Sequence, residues 1–552
     1  MAPRSPVSRE LVNSAGVARS DAKEPSPVPR VRITKNLAFI DLALLASADV
    51  FELMLANCTP RTVGDRFLRN YFKIVHPQIP ILSYAEVISQ WSQLWEMRPA
   101  SSPRWMKEIV FTVLAIGARV CPVMGQKDLD SAEAWGEYFT QAVDIPITAM
   151  REPSLQLVHL LLLKATYAQH GLRPNDTFFY IGCAARTCIA MGYNRSIVVE
   201  GFGQKSKHYR LTFWITYIMD RATTLMSGRP SSFRDEDIDT PFPQNSSEIG
   251  VLQEINSIPP CGLITDGSFV RVMARMGKIA DCIMSGIYSS QKVSDARDLL
   301  MESNIHGCES ALGAIFQDFP DFLDFRNTEG PIGTDWQEVQ RLHVGIIYYM
   351  LLILVHRPAL VFTSFFSSVT EAQSVIPPSF NIRQSIETLN ASARGMIRLA
   401  HESLSMRQPD ARSDSSLAIY LVAACVTLLY GVLGPETTPD HARDTFLSVE
   451  EAIHCLEGMK HFGPMTGKTL STDIMRMAKN VLSCPTGSVL TDIGNEFMAA
   501  FPWLDNDASD INGEAIPRNE HETLARNLQS WFFVPPMEYG GGLLQNLEDQ
   551  QI

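Results

Sequence analysis

The sequence predicts an all-α protein built as a large multi-helix array. Apolar side chains recur at helical spacing through most of the chain, and no stretch shows the period-two alternation of a half-buried strand. Of the 552 residues, 45% are hydrophobic and only 19% are charged, so the chain has enough apolar side chains for an extensive core. Helices that bury wide apolar faces against one another are therefore the expected architecture.

The first predicted helix spans Arg61–His76. An apolar stripe follows one side of it, and His76-Pro77 ends it because the residue before a proline disfavours helical geometry. Ser83 and Glu86 have the spacing of a capping box, which predicts that a second helix starts there. Further helices are predicted at roughly 105–121, 130–149, 154–170, 175–192 and 207–226.

A stretch rich in Pro, Gly and Ser near 240–265 separates these helices from a second series. That series is predicted at roughly 267–289, 294–317, 335–356, 384–406, 415–433, 447–460 and 471–482. The longest uncharged apolar stretch, Leu417–Leu433, has 17 residues, which is near the short limit for a membrane span. Ser415 and Ser416 can cap it. We expect a buried central helix here and no membrane segment.

Composition divides the chain into three expected regions. Residues 1–36 carry seven basic and three acidic side chains among Pro and Ser, which predicts a disordered basic tail. Residues 37–485 form the predicted helical domain. In the remaining segment, 486–552, seven acidic residues and one basic residue between Thr491 and Glu520 are interleaved with aromatic side chains. That pattern is typical of activation segments, and a loosely packed helix with those aromatics as its core is the alternative.

Charge and cysteine spacing exclude several classes of protein. The net charge of −13 argues against a broad basic surface that grips nucleic acid by itself. None of the ten cysteines stands in a C-x2-C pair, so we expect neither a disulfide framework nor a zinc site, and no cofactor. The first residues lack the apolar segment of a secretory signal.

Enzymatic motifs are incomplete in this sequence. Gly463–Thr469 has three residues between its glycines, where a phosphate-binding loop needs four. Neither G-x-S-x-G nor H-E-x-x-H occurs. His159, His170, His343 and His356 stand in separate segments, so we interpret them as structural histidines of the core or surface. The chain is predicted not to be an enzyme, although a catalytic group assembled from distant residues stays an open alternative.

The most informative segment is His208–Pro243. An aromatic-rich helix runs through Asp220-Arg221 to Gly228, which accepts the left-handed conformation at a helix end. In that helix, Leu211, Trp214 or Ile215, Ile218 and Leu225 are predicted to face a core, with Arg210, Phe213, Tyr217, Asp220 and Arg221 on the neighbouring face. Four acidic residues then follow between 235 and 239. We expect this acidic loop to fold back so that Arg229 or Arg221 pairs with it; a divalent cation bound by the carboxylates is the alternative.

This segment resembles the signature of the fungal-specific transcription factor regulatory domain, the middle homology region of the fungal zinc-cluster transcription factors. That family shows an arginine, paired aromatics, Asp-Arg, Gly-Arg-Pro and an acidic loop in this order. The matching residues are Arg210, Trp214, Asp220, Arg221, Gly228, Arg229, Pro230, Asp235, Asp237 and Asp239.

Three other segments resemble the family in the same order along the chain. They are an opening Y-F-x-x-x-H-P, a helix with G-x-A-x-R and a final Met-Gly, and an apolar helix that ends in H-R-P. The residues concerned are Tyr71, Phe72, His76, Pro77, Arg186, Gly192, His356, Arg357 and Pro358. Together the four segments cover roughly residues 60–440, and the resemblance implies the all-helical regulatory fold for that part.

The resemblance implies a nuclear transcription regulator, with a pathway-specific role in a fungal secondary-metabolite gene cluster as the expected task. The family's zinc cluster needs six closely spaced cysteines, whereas the first cysteine here is Cys58 and the next is Cys121. We therefore expect DNA contact only through a DNA-bound partner, a homodimer or a missing upstream module, and contact with the transcription machinery through the C-terminal segment. A helical biosynthetic enzyme or a ligand-binding scaffold is the alternative.

Overall fold

The computed structural model describes residues 59–96, 104–122, 126–141, 143, 145–243, 267–288, 302–432, 436–459 and 476. The predicted N-terminal tail, the 463–469 loop and the acidic C-terminal segment lie outside these residues. Within the described residues, the secondary structure is helical and no strand occurs. This confirms the predicted all-α fold.

Fifteen α-helices are present in the described residues. We number them in chain order: α1 Arg61–Asn70, α2 Tyr84–Trp95, α3 Met106–Arg119, α4 Gln126–Gln141, α5 Leu155–His170, α6 Pro174–Ala190, α7 Ser196–Gly201, α8 Ser206–Ser227, α9 Ser268–Gly286, α10 Glu302–Ala314, α11 Asp335–Thr363, α12 Val369–Val375, α13 Ile382–Glu402, α14 Leu417–Val432 and α15 Pro439–Gly458.

The helices pack as two neighbouring groups joined through α9. In the first group, α3 packs against α1, α4 and α5, and α6 packs against α5 and α8. In the second group, the long helix α11 packs along α13, and α14 and α15 pack against α13. Helix α9 contacts α8 on one side and α10 and α11 on the other. One buried apolar cluster runs through both groups.

The first predicted helix is interrupted. The chain is α-helical only to Asn70 and then makes a π-helical turn over Tyr71–Val75, closed by a bond from the His76 amide to the Tyr71 carbonyl at 2.9 Å. Such a wider turn rotates the following side chains relative to a regular helix. Here Tyr71, Phe72, Ile74 and Val75 are all buried. The π-helical turn thus lies in the protein interior, directly before His76.

Helix α11 does not end at the His-Arg-Pro segment as predicted. It continues through Pro358 to Thr363. A proline inside a helix leaves the carbonyl four residues earlier without its usual donor, and that carbonyl belongs to Leu354. The hydroxyl of Tyr288 donates to this oxygen at 2.8 Å. An outside donor therefore replaces the missing helical bond and lets the helix continue.

Other predicted boundaries also shift. The Ser83 side chain accepts from the Glu86 amide at the start of α2, as the capping pattern predicts. Helix α4 ends at Gln141, eight residues before the predicted end at 149. Helix α15 starts at Pro439, eight residues before the predicted 447, because the Thr438 side chain caps it.

The apolar helix α14 is buried along most of its length, as expected. Among the described helices, α11 alone has the length and hydropathy of a bilayer span, and 67% of its most apolar window is buried inside the protein. Buried core helices of globular proteins meet the same criterion. The burial of α11 between α9 and α13 accounts for its apolar composition.

Candidate functional site

The signature segment ends helix α8 and turns the chain back along it. Gly228 adopts the left-handed conformation (φ 64°, ψ 12°), and its amide bonds to the Thr224 carbonyl at 2.9 Å. A side chain at this φ would be strained, which explains the glycine. Pro230 follows two residues later and prevents further helix. The predicted helix end is confirmed.

Asp220 anchors the returning loop from inside the protein. Its side chain is buried, and its carboxylate accepts from the Ser232 amide at 2.9 Å and from the Phe233 amide at 3.4 Å. Burial raises the pKa of this carboxyl, while the bonds from Ser232 and the nearby Arg221 act in the opposite direction. The carboxylate holds the loop in place through main-chain donors.

Arg221 is the centre of a charged cluster that we call the signature corner, made of Asp220, Arg221, Phe233, Asp235 and Asp281. The buried guanidinium donates to Asp281 at 2.5 Å, to Asp235 at 2.7 Å and to the Phe233 carbonyl at 3.2 Å. Tyr217 places its ring against the guanidinium and its hydroxyl 2.8 Å from Asp235. The acidic loop therefore pairs with Arg221, one of the two predicted alternatives.

Arg229 does not pair with the acidic loop. Its guanidinium hydrogen-bonds Asn175 on α6 and lies over the ring of Phe178, 4.9 Å from the centroid. The left-handed turn at Gly228 points Arg229 towards α6, away from the carboxylates. Asp281, the second partner of Arg221, lies 60 residues along the chain on α9, where local sequence gave no signal of the pairing.

Asp237 and Asp239 connect the loop to the chain around α7. Asp239 accepts from the Ser196 amide at 2.6 Å and pairs with Arg195 at 3.1 Å. The Asp237 carbonyl accepts from the Asn194 amide group at 2.8 Å. Within the described residues, no cluster of three or more His, Cys, Asp or Glu has metal-site geometry. The protein's own donors occupy the carboxylates of Asp220, Asp235 and Asp239.

Helix α8 is buried on nearly all sides. Arg210, Phe213 and Tyr217, predicted on the face next to the core-facing side, are buried as well. Trp214 lies on the core side, and its indole nitrogen donates to the Pro241 carbonyl at 2.8 Å. The returning loop covers what would otherwise be the exposed face.

The opening motif forms a second anchor point. Tyr71 and Phe72 are buried and meet edge to face at 5.1 Å. His76 is buried, with Nε2 2.9 Å from the Leu82 carbonyl, and burial lowers its pKa to about 4. The Pro77 carbonyl accepts from Gln340 on α11 at 2.9 Å. These residues tie the π-helical turn to the second group of helices.

The other motif residues have separate positions. Gly192 follows α6 with φ +71°, and a Cβ there would lie 3.1 Å from Val198, so the motif glycine is required by space as well as by conformation. Arg186 is exposed on α6. Arg357 and Pro358 lie inside α11. The structure brings Asp220, Arg221 and Asp235 together at the signature corner. The remaining predicted residues lie at separate positions in the fold.

His356 joins three helices. Its Nδ1 is 2.8 Å from the Ser385 hydroxyl on α13, and its Nε2 is 3.2 Å from the Glu309 carboxylate on α10. A serine hydroxyl, a histidine ring and a carboxylate joined in this way resemble the catalytic triad of a hydrolase. However, Ser385 is only 4% exposed, so a substrate carbonyl has no path to its hydroxyl. Burial lowers the pKa of His356 to about 4. The arrangement is a structural clamp between α10, α11 and α13.

A buried ionic cluster that the sequence did not predict surrounds Asp414. Asp414 is completely buried just before α14, with His170 of α5 at 3.4 Å and His343 of α11 at 3.2 Å. Gln78 and Ser416 donate to the same carboxylate. Burial alone would raise the pKa of Asp414, but its interactions with His170 and His343 hold the pKa well below the usual range. Local sequence offered no signal, because the three helices are far apart in the chain.

Beside the signature corner lies a small apolar crevice. It is lined by Ile218, Ala222, Leu225, Met273, Met276 and Ile347, with Arg221 at its edge. It has room for about one water molecule. The crevice is too small for an organic ligand in this conformation.

Comparison with known proteins gives a consistent result for this part of the chain. Residues 68–317 match the family model described as fungal specific transcription factor domain. Residues 68–317 therefore carry a fungal specific transcription factor domain. The matched residues include the opening motif, the signature corner and the α9–α10 pair.

Relatives of the domain occur in several fungi. An uncharacterized transcriptional regulatory protein of Schizosaccharomyces pombe is 21% identical over 61% of this chain and 44% of its own length. The Activator of stress genes 1 of Saccharomyces cerevisiae is 23% identical over 68% of this chain and 38% of its own. An ABC-transporter-regulating transcription factor of Aspergillus oryzae is 24% identical over 54% of this chain and 33% of its own.

The chain thus spans less than half the length of these curated relatives. By their printed names the relatives are transcriptional regulators and not enzymes, which agrees with the prediction that this chain is not an enzyme.

Proposed function

We propose that the chain is a nuclear transcription regulator that acts through its helical domain. The single observation that carries this proposal is the family match over residues 68–317, supported by relatives named as transcriptional regulators. The signature corner supports it as well, since its buried charges hold helices together and leave no carboxylate of Asp220 or Asp235 free for catalysis.

In this proposal, DNA contact comes from a DNA-bound partner protein, from a second copy of the chain or from a zinc cluster encoded upstream. The acidic and aromatic segment 486–552 contacts the transcription machinery. The genes controlled belong to one secondary-metabolite cluster of the host fungus. The net charge of −13 is consistent with indirect DNA contact, because counterion release on DNA requires basic residues at the interface.

Tethering tests the proposal directly. The full chain is fused to a heterologous DNA-binding domain and assayed on a reporter gene in a fungal host. We expect reporter output to change at least several-fold, and to return towards baseline when 486–552 is removed. No change with a stable, nuclear fusion would instead favour a scaffold without transcriptional role.

Transcript profiling of a deletion strain tests the finer claim. We expect the largest changes in genes of one contiguous biosynthetic cluster. Broad changes without such a cluster would contradict pathway specificity and leave the regulator role intact.

A further inference from the structure

Helices α9 and α10 pack against each other, and each carries one cysteine. The Asn304 side chain donates to the Gly286 carbonyl at 2.9 Å, so the start of α10 lies against the end of α9. The turn Ile315–Asp318 after α10 also packs against α9, which makes the two helices antiparallel. One turn back along α9 from Gly286 is Cys282, and one turn forward along α10 from Asn304 is Cys308. The register therefore places these two thiols opposite each other.

The two thiols differ in exposure. Cys282 is exposed, whereas Cys308 is buried in the helix interface with 5% of its surface accessible. Burial, and to a smaller extent the nearby Cys282 thiol and Glu309, raise the pKa of Cys308 to about 11. Burial and the charge of Asp281 raise the pKa of Cys282. One thiol is thus accessible to solvent and the other lies behind it.

Each cysteine adjoins a residue of the ionic clusters described above. Asp281, next to Cys282, is the partner of Arg221 at the signature corner. Glu309, next to Cys308, pairs with His356 of α11. A covalent link between the two helices at this level would join the Arg221 cluster to the His356 clamp.

We propose that Cys282 and Cys308 form an intrachain disulfide when the protein meets a hydroperoxide. The Cys282 thiolate attacks one peroxide oxygen, the O–O bond breaks, and a sulfenic acid and water result after protonation. The Cys308 sulfur then attacks the Cys282 sulfur, the S–O bond breaks, and a second water leaves. In sum, two thiols and one hydrogen peroxide give one disulfide and two waters, with two electrons passing from sulfur to oxygen.

The raised pKa of Cys282 sets the conditions for this chemistry. Only the thiolate reacts, so a thiol with a raised pKa is slow at neutral pH. The link is therefore expected to form under strong oxidant exposure. Its rate rises with pH, since each step towards the pKa of Cys282 increases the thiolate fraction.

The consequence for regulation rests on the proposed function. A disulfide between α9 and α10 would fix Asp281 relative to His356 and so restrict the motion of α9, the helix that joins the two groups. Oxidant exposure would then change the output of the domain without any contact to DNA.

The test uses the reduced full-length chain, treated with hydrogen peroxide, alkylated and digested without reductant. Mass spectrometry is expected to find the Cys282–Cys308 peptide in the wild type and in C183S, and to lose it in C282S and C308A. C282S changes an exposed residue and keeps the fold, so it serves as the main variant. A rate that increases several-fold from pH 7 to pH 8.5 is also expected.

Cys425 and Cys455 provide a matched control. They lie on α14 and α15, and Cys455 raises the pKa of Cys425, but both thiols are buried, so we expect no link between them. Oxidation of Cys282 to a sulfinic acid, or to an interchain dimer, without the Cys308 link would overturn the proposal.

In the tethered reporter assay, a peroxide response present in wild type and absent in C282S supports regulation. A disulfide without such a response removes the regulatory consequence alone, and a silent reporter in both proteins counts against the proposed function instead.

Discussion

The hydroxyl of Tyr288 donates to the carbonyl oxygen of Leu354, the oxygen that Pro358 leaves without a helical donor. The bond lets α11 continue for five residues past the proline. It also connects the end of α9 to the centre of the second helix group. The proline of the His-Arg-Pro motif thus has a structural partner that the motif itself does not contain.

Tyr288→Phe should destabilise the protein by about 1–2 kcal/mol, because it leaves a buried carbonyl without a donor. Pro358→Ala restores an amide at the right position. In the Pro358→Ala background the cost of Tyr288→Phe should therefore fall to a few tenths of a kcal/mol. Urea denaturation followed by circular dichroism measures all four proteins. If Tyr288→Phe lowers the unfolding free energy equally with Pro358 and with Pro358→Ala, the Tyr288 hydroxyl does not replace the missing helical donor to Leu354.

Arg221→Ala should cost about 2–3 kcal/mol of unfolding free energy. Removing one partner of a buried ion pair costs about 3–5 kcal/mol, and the estimate is lower here because Asp235 and Asp281 keep about a third of their side-chain surface in solvent. Arg229→Ala is the matched control at the same motif and should cost about 1 kcal/mol or less, since Arg229 is partly exposed. A larger loss of unfolding free energy in Arg229→Ala than in Arg221→Ala would show that Arg221 is not the arginine that stabilises the signature corner.

Gly117→Ala should be among the most disruptive single-methyl changes in the chain. A Cβ at Gly117 would lie 2.0 Å from the Phe67 carbonyl oxygen, which is backbone and cannot move without shifting α1 against α3. We expect a loss of about 3 kcal/mol or more, as for overpacked core sites. Gly313→Ala is the control on α10, where nothing lies within 4 Å of the new methyl. It should stabilise the protein by about 0.5–1 kcal/mol through helix propensity. Melting temperatures that move in the same direction would refute the packing argument.

Acid should destabilise the protein through its buried histidines. Burial lowers the pKa of His76 to about 4, of His159 to about 3 and of His356 to about 4, against 6.5 for the free side chain. The folded state keeps these rings neutral while the unfolded chain binds protons below pH 6.5. Stability is therefore complete above about pH 6.5 and is lost as the pH falls towards the folded-state pKa values, by about 1.4 kcal/mol per pH unit for each histidine.

His159→Gln tests one of these contributions. Glutamine can still bond to Thr212, which lies 2.8 Å from His159 Nε2, and it does not titrate. The variant should show a shallower dependence of unfolding free energy on pH between 6.5 and 4. His306→Gln, at a site with 84% side-chain exposure, should leave the slope unchanged. An unchanged slope in His159→Gln would mean that this ring is not held neutral.

The sequence predicted features that depend on neighbouring residues. The Ser83 cap and the left-handed Gly228 are local, because the residues that make each one lie within a few positions. The sequence did not show whether Arg221 or Arg229 pairs with the acidic loop, because Asp281, the second partner of Arg221, lies on another helix. The resemblance to the family placed both arginines in the motif without assigning a contact to either.

The same limit explains the Asp414 cluster. His170, His343 and Asp414 are separated by more than seventy residues at each step, and no local pattern marks their meeting. Of the predicted motif residues, Asp220, Arg221 and Asp235 assemble at one corner, and the others lie at separate positions in the fold. The predicted motif residues are therefore positions that stabilise different parts of the fold, and they do not form a single site.

Helix α7 has six residues and depends for its first turn on Asp239, which accepts from the Ser196 amide 43 residues earlier in the chain. A helix this short is not stable by itself in water. During synthesis from the N-terminus, α7 emerges before the carboxylate that caps it has been made. We therefore expect α7 to form late, only when the acidic loop has been translated and has docked, which makes the order of chain growth part of how this corner is built.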